Sequence, residues 1–218
     1  LADAVELEDR TLTTGMMAVQ GPESLEIVNR LLQTELSALK YYHARELESG
    51  MWVSRTGYTG EDGFEIIASP DRILSLWQSA RRAGVAPAGL GARDSLRLEM
   101  GYSLYGHELT EAVTPLEAGL ERVIAWEKDF IGKDALLRQK EGGPARRRIG
   151  YQLTGKGIPR QGCVLFEGEE SVGETTSGGF SPVLGLGIGL GLARREHPRG
   201  DALAVEIRGK KIPAQVVK

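Results

Sequence analysis

The sequence predicts an α+β protein, an α/β core followed by a small all-β region, and three observations predict it. Up to Lys140, stretches with helical apolar spacing alternate with extended apolar runs. A breaker cluster, Glu141-Gly142-Gly143-Pro144, then interrupts the chain and leads into Arg146-Arg147-Arg148. Beyond it, the short runs RIGYQL, CVLF, SVGETT, LGIGLGLA, ALAVEI and IPAQVV are separated by turn residues every few positions, as in a small antiparallel barrel or sandwich.

Taken in order, GPESLEIVNRLLQ from Gly21 to Gln33 places Pro22 at a helix start and Leu25, Val28, Leu31 and Leu32 on one face. Met51 to Tyr58 and Gly63 to Ala68 read as two strands joined tightly through Thr59-Gly60-Glu61-Asp62-Gly63, with Glu65 on the second. Ser69-Pro70-Asp71 supplies an N-cap, a first-turn proline and a first-turn acid for a helix with Ile73, Leu74, Trp77 and Ala80 on its apolar side, ended by Gly84. After AGVAPAGLG, the run ARDSLRLEM is a short helix closed by Gly101, with Arg93 near its start. Thr114-Pro115-Leu116-Glu117 has capping-box spacing, and Leu116, Leu120, Val123 and Ile124 form the expected buried stripe of a further helix. Lys133 to Lys140 fits one more.

Composition narrows the function classes. The 218 residues exceed one average domain and are 41% hydrophobic, enough for a real core. With 27 Lys and Arg against 30 Asp and Glu, no global field favours nucleic acid or an anionic membrane, so a charged ligand is handled locally. One cysteine, Cys163, forms no internal disulfide, and with only His43, His107 and His197, far apart in sequence, no zinc spacing exists; no metal is expected. No apolar run approaches the roughly 20 residues needed to span a bilayer, and LADAVELEDR lacks signal-peptide character, so a cytoplasmic protein in a reducing compartment is expected. The start at Leu1 rather than Met suggests a processed product or a fragment.

Two strings carry chemistry. In RTGYTGEDGFE, Gly57, Gly60 and Gly63 permit a tight turn and close approach of backbone to a ligand, while Tyr58 and the strand carboxylate Glu65 sit beside apolar Phe64 and Ile66. A half-buried carboxylate there needs donors, which a ligand with two adjacent N–H groups supplies. In GARDSLR, Arg93 and Arg97 stand one helical turn apart with Asp94 beside the first; read alone, this is a solvated charged face. Other candidates are weaker. Gly185-Leu186-Gly187-Ile188-Gly189-Leu190-Gly191 lacks the third glycine of a dinucleotide fingerprint and any P-loop lysine, and reads as a glycine-punctuated strand. Cys163 reads as a small core residue, His107 beside Glu108 as a structural or solvated histidine, and the Arg146–Arg148 run is too short for a nucleic-acid patch.

Four segments, RTGYTGEDGFE, GLGARDSLRLEMGYSLYGHEL, TPLEAGL and FIGKDALLRQK, resemble in order and spacing the aminomethyltransferase family, the T-protein of the glycine cleavage system. TTSGGFSP resembles that family's C-terminal barrel. The resemblance implies a ferredoxin-like-type α/β core of the T-protein fold followed by a small antiparallel β-barrel. It divides the chain into a folate-binding core over 1–108, a helical connecting segment over 109–143 and a barrel over 144–218. It implies a tetrahydrofolate site in which Glu65 binds the pterin, Arg93 is a second ligand contact, and Tyr58 and Tyr102 line the cavity.

The implied reaction moves a one-carbon unit from aminomethyl-lipoyl H-protein to tetrahydrofolate and releases ammonia. The family's catalytic Asp lies upstream of Leu1, and none of Asp3, Asp9 or Asp62 matches its motif. No catalytic residue is therefore assigned in this chain, which alone is expected to be inactive; the family's C-terminal tail also extends past Lys218. The implied partners are lipoylated H-protein, tetrahydrofolate and, where the upstream segment is a separate chain, that fragment, with no nucleic acid and no membrane. Two other readings share the fold: a folate-binding module without transfer, as in iron–sulfur assembly relatives that carry KGCYxGQE at this turn, and the folate domain of a demethylating oxidase or demethylase.

Overall fold

The computed structural model describes residues 5–48, 50–198 and 200–217, and the chain divides into two compact units, Leu1–Arg93 and Asp94–Lys218.

The first unit holds β1 (Gly15–Gln20), α1 (Ser24–Leu32), β2 (Ala44–Glu48), β3 (Met51–Arg55), β4 (Gly63–Ala68) and α2 (Pro70–Arg82). Its sheet runs β1-β4-β3-β2 with every neighbouring pair antiparallel. Strand period decides the faces. Along β4, Phe64, Ile66 and Ala68 are buried, while Glu65 is half-buried and Ile67 exposed. The inner face packs with Met17, Val19, Met51 and Val53 against Val28 of α1 and Leu76 of α2. Each such side chain fully buried contributes roughly 1.5–3 kcal/mol, so this face holds the unit together.

Two details of α2 differ from the sequence reading. Ser69 occupies the N-cap position of α2 but makes no side-chain capping bond, leaving Pro70 as the start signal. The buried face of α2 carries Leu76 and Ala80 with Ile73 packed beside them, whereas Leu74 and Trp77 are exposed. The helical period was correct and the face was rotated by about a residue.

The helix α3 (Leu90–Glu99) spans the division between units and ends at Gly101, whose φ of +67° reverses the chain. In the second unit α4 (Lys133–Gly142) precedes β5 (Arg146–Leu153), β6 (Val164–Glu167), β7 (Glu170–Ser181), β8 (Leu186–Arg194), β9 (Ala202–Ile207) and β10 (Lys210–Val217). These six strands close into an antiparallel barrel, β10-β5-β8-β7-β6-β9, as the resemblance implied. Closure leaves no free edge. Its core is Ile149, Tyr151, Leu153, Leu165, Val172 and Val205, with Cys163 half-buried against it.

The glycine run at 185–191 lies in and before β8. Its residues pair with β5 and β7 in the ladder, which consumes the backbone N–H groups a phosphate loop would need. Gly189 makes room for a neighbour: a Cβ there would stand 2.3 Å from the Tyr151 hydroxyl. Tyr151 is buried, and its hydroxyl meets Thr175 Oγ1 at 2.7 Å. Burial pushes that phenol well above its ordinary value, so it stays a neutral hydroxyl.

The helix expected from Thr114 does not form. The capping box does: Glu117 N–H donates to Thr114 Oγ1 at 3.2 Å, and Thr114 N–H donates to Glu117 Oε2 at 3.1 Å. Gly119, at φ +70°, ends the turn after one cycle, and only a 3-10 turn at Glu121–Val123 follows. Val123, expected in a buried stripe, is 68% exposed.

Gly189→Ala is expected to destabilise the barrel by roughly 1–3 kcal/mol through overpacking against Tyr151, read as a lower urea midpoint. An unchanged midpoint would show that the Tyr151 ring moves freely.

Candidate functional site

The loop between β3 and β4 is wider than the tight turn expected. β3 stops at Arg55 and residues 56–62 carry the chain across to β4. A fork closes its mouth: Arg55 Nε donates to Asp62 Oδ1 at 2.9 Å and Nη2 to Oδ2 at 2.7 Å. Arg55 Nη1 also donates to the Leu39 carbonyl at 3.1 Å. Bidentate pairing of this kind is among the strong hydrogen bonds and fixes geometry as well as distance.

Beneath the loop lies Gln20, at the end of β1, a residue the sequence did not single out. Its Nε2 donates to the Thr56 carbonyl at 3.1 Å, and its Oε1 accepts from the Thr59 hydroxyl at 3.4 Å. A Cβ on Gly57 or Gly63 would fall 1.9 or 2.1 Å from that Oε1, so both positions need glycine to let Gln20 in. From the other side, the Asp62 carbonyl accepts from Gly21 N–H at 2.8 Å and Ser24 Oγ at 3.0 Å. The Thr56 and Asp62 carbonyls, the Thr59 hydroxyl and the Asp62 carboxylate of this irregular segment are thus paired with β1, the start of α1 and Arg55.

On this frame the structure places the expected residues. Tyr58, half-buried in the loop, lies under the Arg93 guanidinium, whose carbon is 4.4 Å from the ring centroid. Stacked guanidinium and phenol form a cation–π pair, and Arg93 is otherwise exposed at the start of α3. Glu65 sits on the outer face of β4 with Ala18 of β1 and Ser54 of β3 as cross-strand neighbours. It is half-buried, and its carboxylate has no hydrogen-bond or ion-pair partner among the described residues. The next row on that face is apolar: Met16, Ile67 and Trp52 pair across the sheet and are 61%, 39% and 45% exposed. This face therefore sets hydrogen-bond acceptors beside an exposed apolar strip. Tyr102, half-buried, belongs to the second unit.

Arg97 departs from the solvated face that GARDSLR suggested. It is 1% exposed. Its Nε donates to Asp94 Oδ1 at 2.8 Å, Nη1 to the Tyr102 carbonyl at 3.1 Å and to Glu108 Oε2 at 3.2 Å, and Nη2 to Ser177 Oγ at 2.9 Å. Glu108, fully buried, also accepts from Leu104 N–H at 3.0 Å and from the Thr176 hydroxyl. His107, read as structural or solvated, is half-buried and meets the Thr176 carbonyl at 2.8 Å through Nδ1. These residues form a satisfied polar core within the second unit.

Asp62 carries a pH signature. Hydrogen bonding from Arg55, with its charge adding to the effect, holds the Asp62 carboxyl below its ordinary value, and partial burial opposes this. A folded-state value below the unfolded one means stability present above the unfolded value of about 3.9 and lost as pH falls through the folded one. Asp62→Asn is therefore expected to weaken the first unit at neutral pH and to lessen its dependence on pH below about 4. Urea midpoints between pH 2 and 7 check this, and parallel curves for parent and variant would refute the clamp.

Comparison with known proteins agrees with this architecture. The family model "GCVT N-terminal domain" matches residues 1–128 and "Glycine cleavage T-protein C-terminal barrel domain" matches residues 146–218. The aminomethyltransferase of Thermosynechococcus vestitus is 45% identical over 222 residues, covering 100% of this chain and 61% of that protein. That of Thermosipho melanesiensis is 42% identical, covering 98% of this chain and 60% of the relative. The crystal structure of glycine cleavage system aminomethyltransferase T from Bartonella henselae superposes with a TM-score of 0.88 at 33% identity, over 94% of this chain and 58% of the other. The chain thus spans about 60% of the length of the curated relatives it matches.

Proposed function

The chain belongs to the glycine cleavage T-protein family, and on that premise we propose that it carries one wall of a tetrahydrofolate site in an aminomethyltransferase that takes its one-carbon unit from the lipoyl arm of H-protein. The observation that carries the reading is Glu65, a half-buried carboxylate without a partner among the described residues, beside the exposed apolar row of Met16, Ile67 and Trp52.

A carboxylate is acceptor-only, and the pterin offers a ring N–H and an adjacent amino group, two donors spaced for two carboxylate oxygens. The apolar row accepts the flat of the ring. Arg93 over Tyr58 supplies a second, cationic contact in the same unit, and Tyr102 joins the reading by its place in the MGYSLYG motif. In the reaction two folate amines close on the aminomethyl carbon. Its bond to the lipoyl sulfur breaks, as does its bond to nitrogen; one amine proton goes to sulfur and the other leaves with ammonia. Most of the acceleration required is positional, holding amine and aminomethyl carbon in one place. No carboxylate of this chain is assigned the proton-transfer role.

Glu65→Ala is expected to weaken tetrahydrofolate binding by about ten- to a hundredfold, the loss of hydrogen bonds to a charged group worth roughly 1.5–3 kcal/mol, with the unfolding midpoint little changed because the side chain lies outside the packed face. Glu65→Gln is expected to fall nearly as far, since its amide turns an N–H toward the pterin donors. Calorimetry on the protein at its full natural length decides the matter, and parental affinity in both variants would remove Glu65 from the site.

A further inference from the structure

The segment after α3 has no regular secondary structure from Tyr102 to Leu104, yet its backbone is heavily bonded by side chains from elsewhere in the second unit. The peptide before Tyr102 presents the Gly101 carbonyl to Arg148 Nη1 at 2.6 Å, and the Tyr102 N–H of the same peptide donates to the Arg97 carbonyl at 2.9 Å. The peptide after Tyr102 presents its carbonyl to Arg97 Nη1 at 3.1 Å. Two residues on, Leu104 N–H donates to Glu108 Oε2 at 3.0 Å, and Arg148 Nη1 also reaches Ser103 Oγ at 3.1 Å. Each peptide is planar, so pinning both planes flanking one Cα fixes that residue's φ and ψ and the direction of its Cα–Cβ bond.

From this geometry we propose that Arg97 and Arg148 are positioning residues that set the Tyr102 ring for ligand binding. The proposal rests on the folate reading of Tyr102. Neither guanidinium acts on the ligand; each acts through the backbone of one aromatic residue. Arg97 is itself oriented by Asp94, Glu108 and Ser177, so its fork approaches the Tyr102 carbonyl from one fixed side. Glu108 sits between Arg97, the Leu104 amide and the Thr176 hydroxyl, joining the pinned segment to β7.

Arg→Lys replacement keeps the charge but removes the planar fork, so a carbonyl held from a fixed direction becomes one held by a mobile point charge. On the protein at its full natural length, tetrahydrofolate affinity is measured by calorimetry for Arg148→Lys, Tyr102→Ala, their double variant and Glu65→Ala. Arg148→Lys is expected to weaken binding about tenfold, or ~1.4 kcal/mol, and Tyr102→Ala by at least as much. The double variant is expected to bind no more weakly than Tyr102→Ala alone, because a residue acting only through the ring has nothing left to act on. The same cycle built on Arg97→Lys serves if Arg148→Lys does not fold.

Losses that multiply in the double variant would overturn the proposal, and a concurrent loss in Glu65→Ala would show that the folate reading survives it. Parental affinity in both Glu65→Ala and Tyr102→Ala would sink the folate reading and this proposal with it. Amide hydrogen exchange gives a readout free of ligand: faster exchange at Tyr102 and Leu104 in Arg148→Lys, with the barrel ladder unchanged, is expected. Unaltered exchange there would equally overturn the assignment.

Discussion

The first unit depends on the two-sidedness of β4. As a central strand it has β1 on one side and β3 on the other, and its period of two sends Phe64, Ile66 and Ala68 into the core and Glu65 and Ile67 to the opposite face. A slip of one residue in register would exchange the two sets, burying a carboxylate among methyl groups and exposing a phenylalanine. The penalty for that exchange locks the register. The same packing that stabilises the sheet therefore places Glu65, and nothing about Glu65 itself is needed to hold it in position.

Polar accounting explains how the loop before β4 is held to the elements around it. Residues 56–62 form no ladder, so their backbone groups need other partners. Gln20 supplies one to the Thr56 carbonyl and Ser24 one to the Asp62 carbonyl, Arg55 holds the Asp62 carboxylate, and the glycines at 57 and 63 leave room for Gln20. Loop and strands are tied together at Thr56 and Asp62, the two ends of the segment.

All six barrel strands were legible because each holds a β-like run bounded by turn residues, and closure makes every one a partner to two others. Strands β1 and β2 were not. GMMAVQ lacks a turn signal after its apolar residues other than Gly21, and ARELE is a charged edge strand that looks like a strand only once β3 lies beside it. The helix expected after Thr114 failed at a single φ, since Gly119 in the left-handed region outweighs a correct capping box. The place of Glu65 on the second strand, between buried Phe64 and Ile66, was readable because alternation is a local property. Arg97 was not: its partner Ser177 is 80 residues away, and on a short helix a buried arginine has the same spacing as a solvated one. Gln20 gave no sign at all, because its role exists only where a loop glycine, Gly57, and the first residue of β4, Gly63, face it.

The Arg97–Glu108 pair raises the question of why the second unit buries charges where apolar residues would pack. Removing two ions from water costs several kcal/mol each, and attraction between them offsets this only when the remaining donors and acceptors are also satisfied. Here they are: Arg97 has four acceptors and Glu108 three donors, two of them backbone groups of the segment from Tyr102 to Leu104. An apolar pair of the same volume would fill the space but leave the Tyr102 carbonyl and the Leu104 amide without these partners, each costing about 1–3 kcal/mol if buried unpaired. A half-buried irregular segment has no ladder in which to satisfy its backbone. The ion pair is the means of satisfying it, and a fixed direction for the residue that segment carries comes as a consequence.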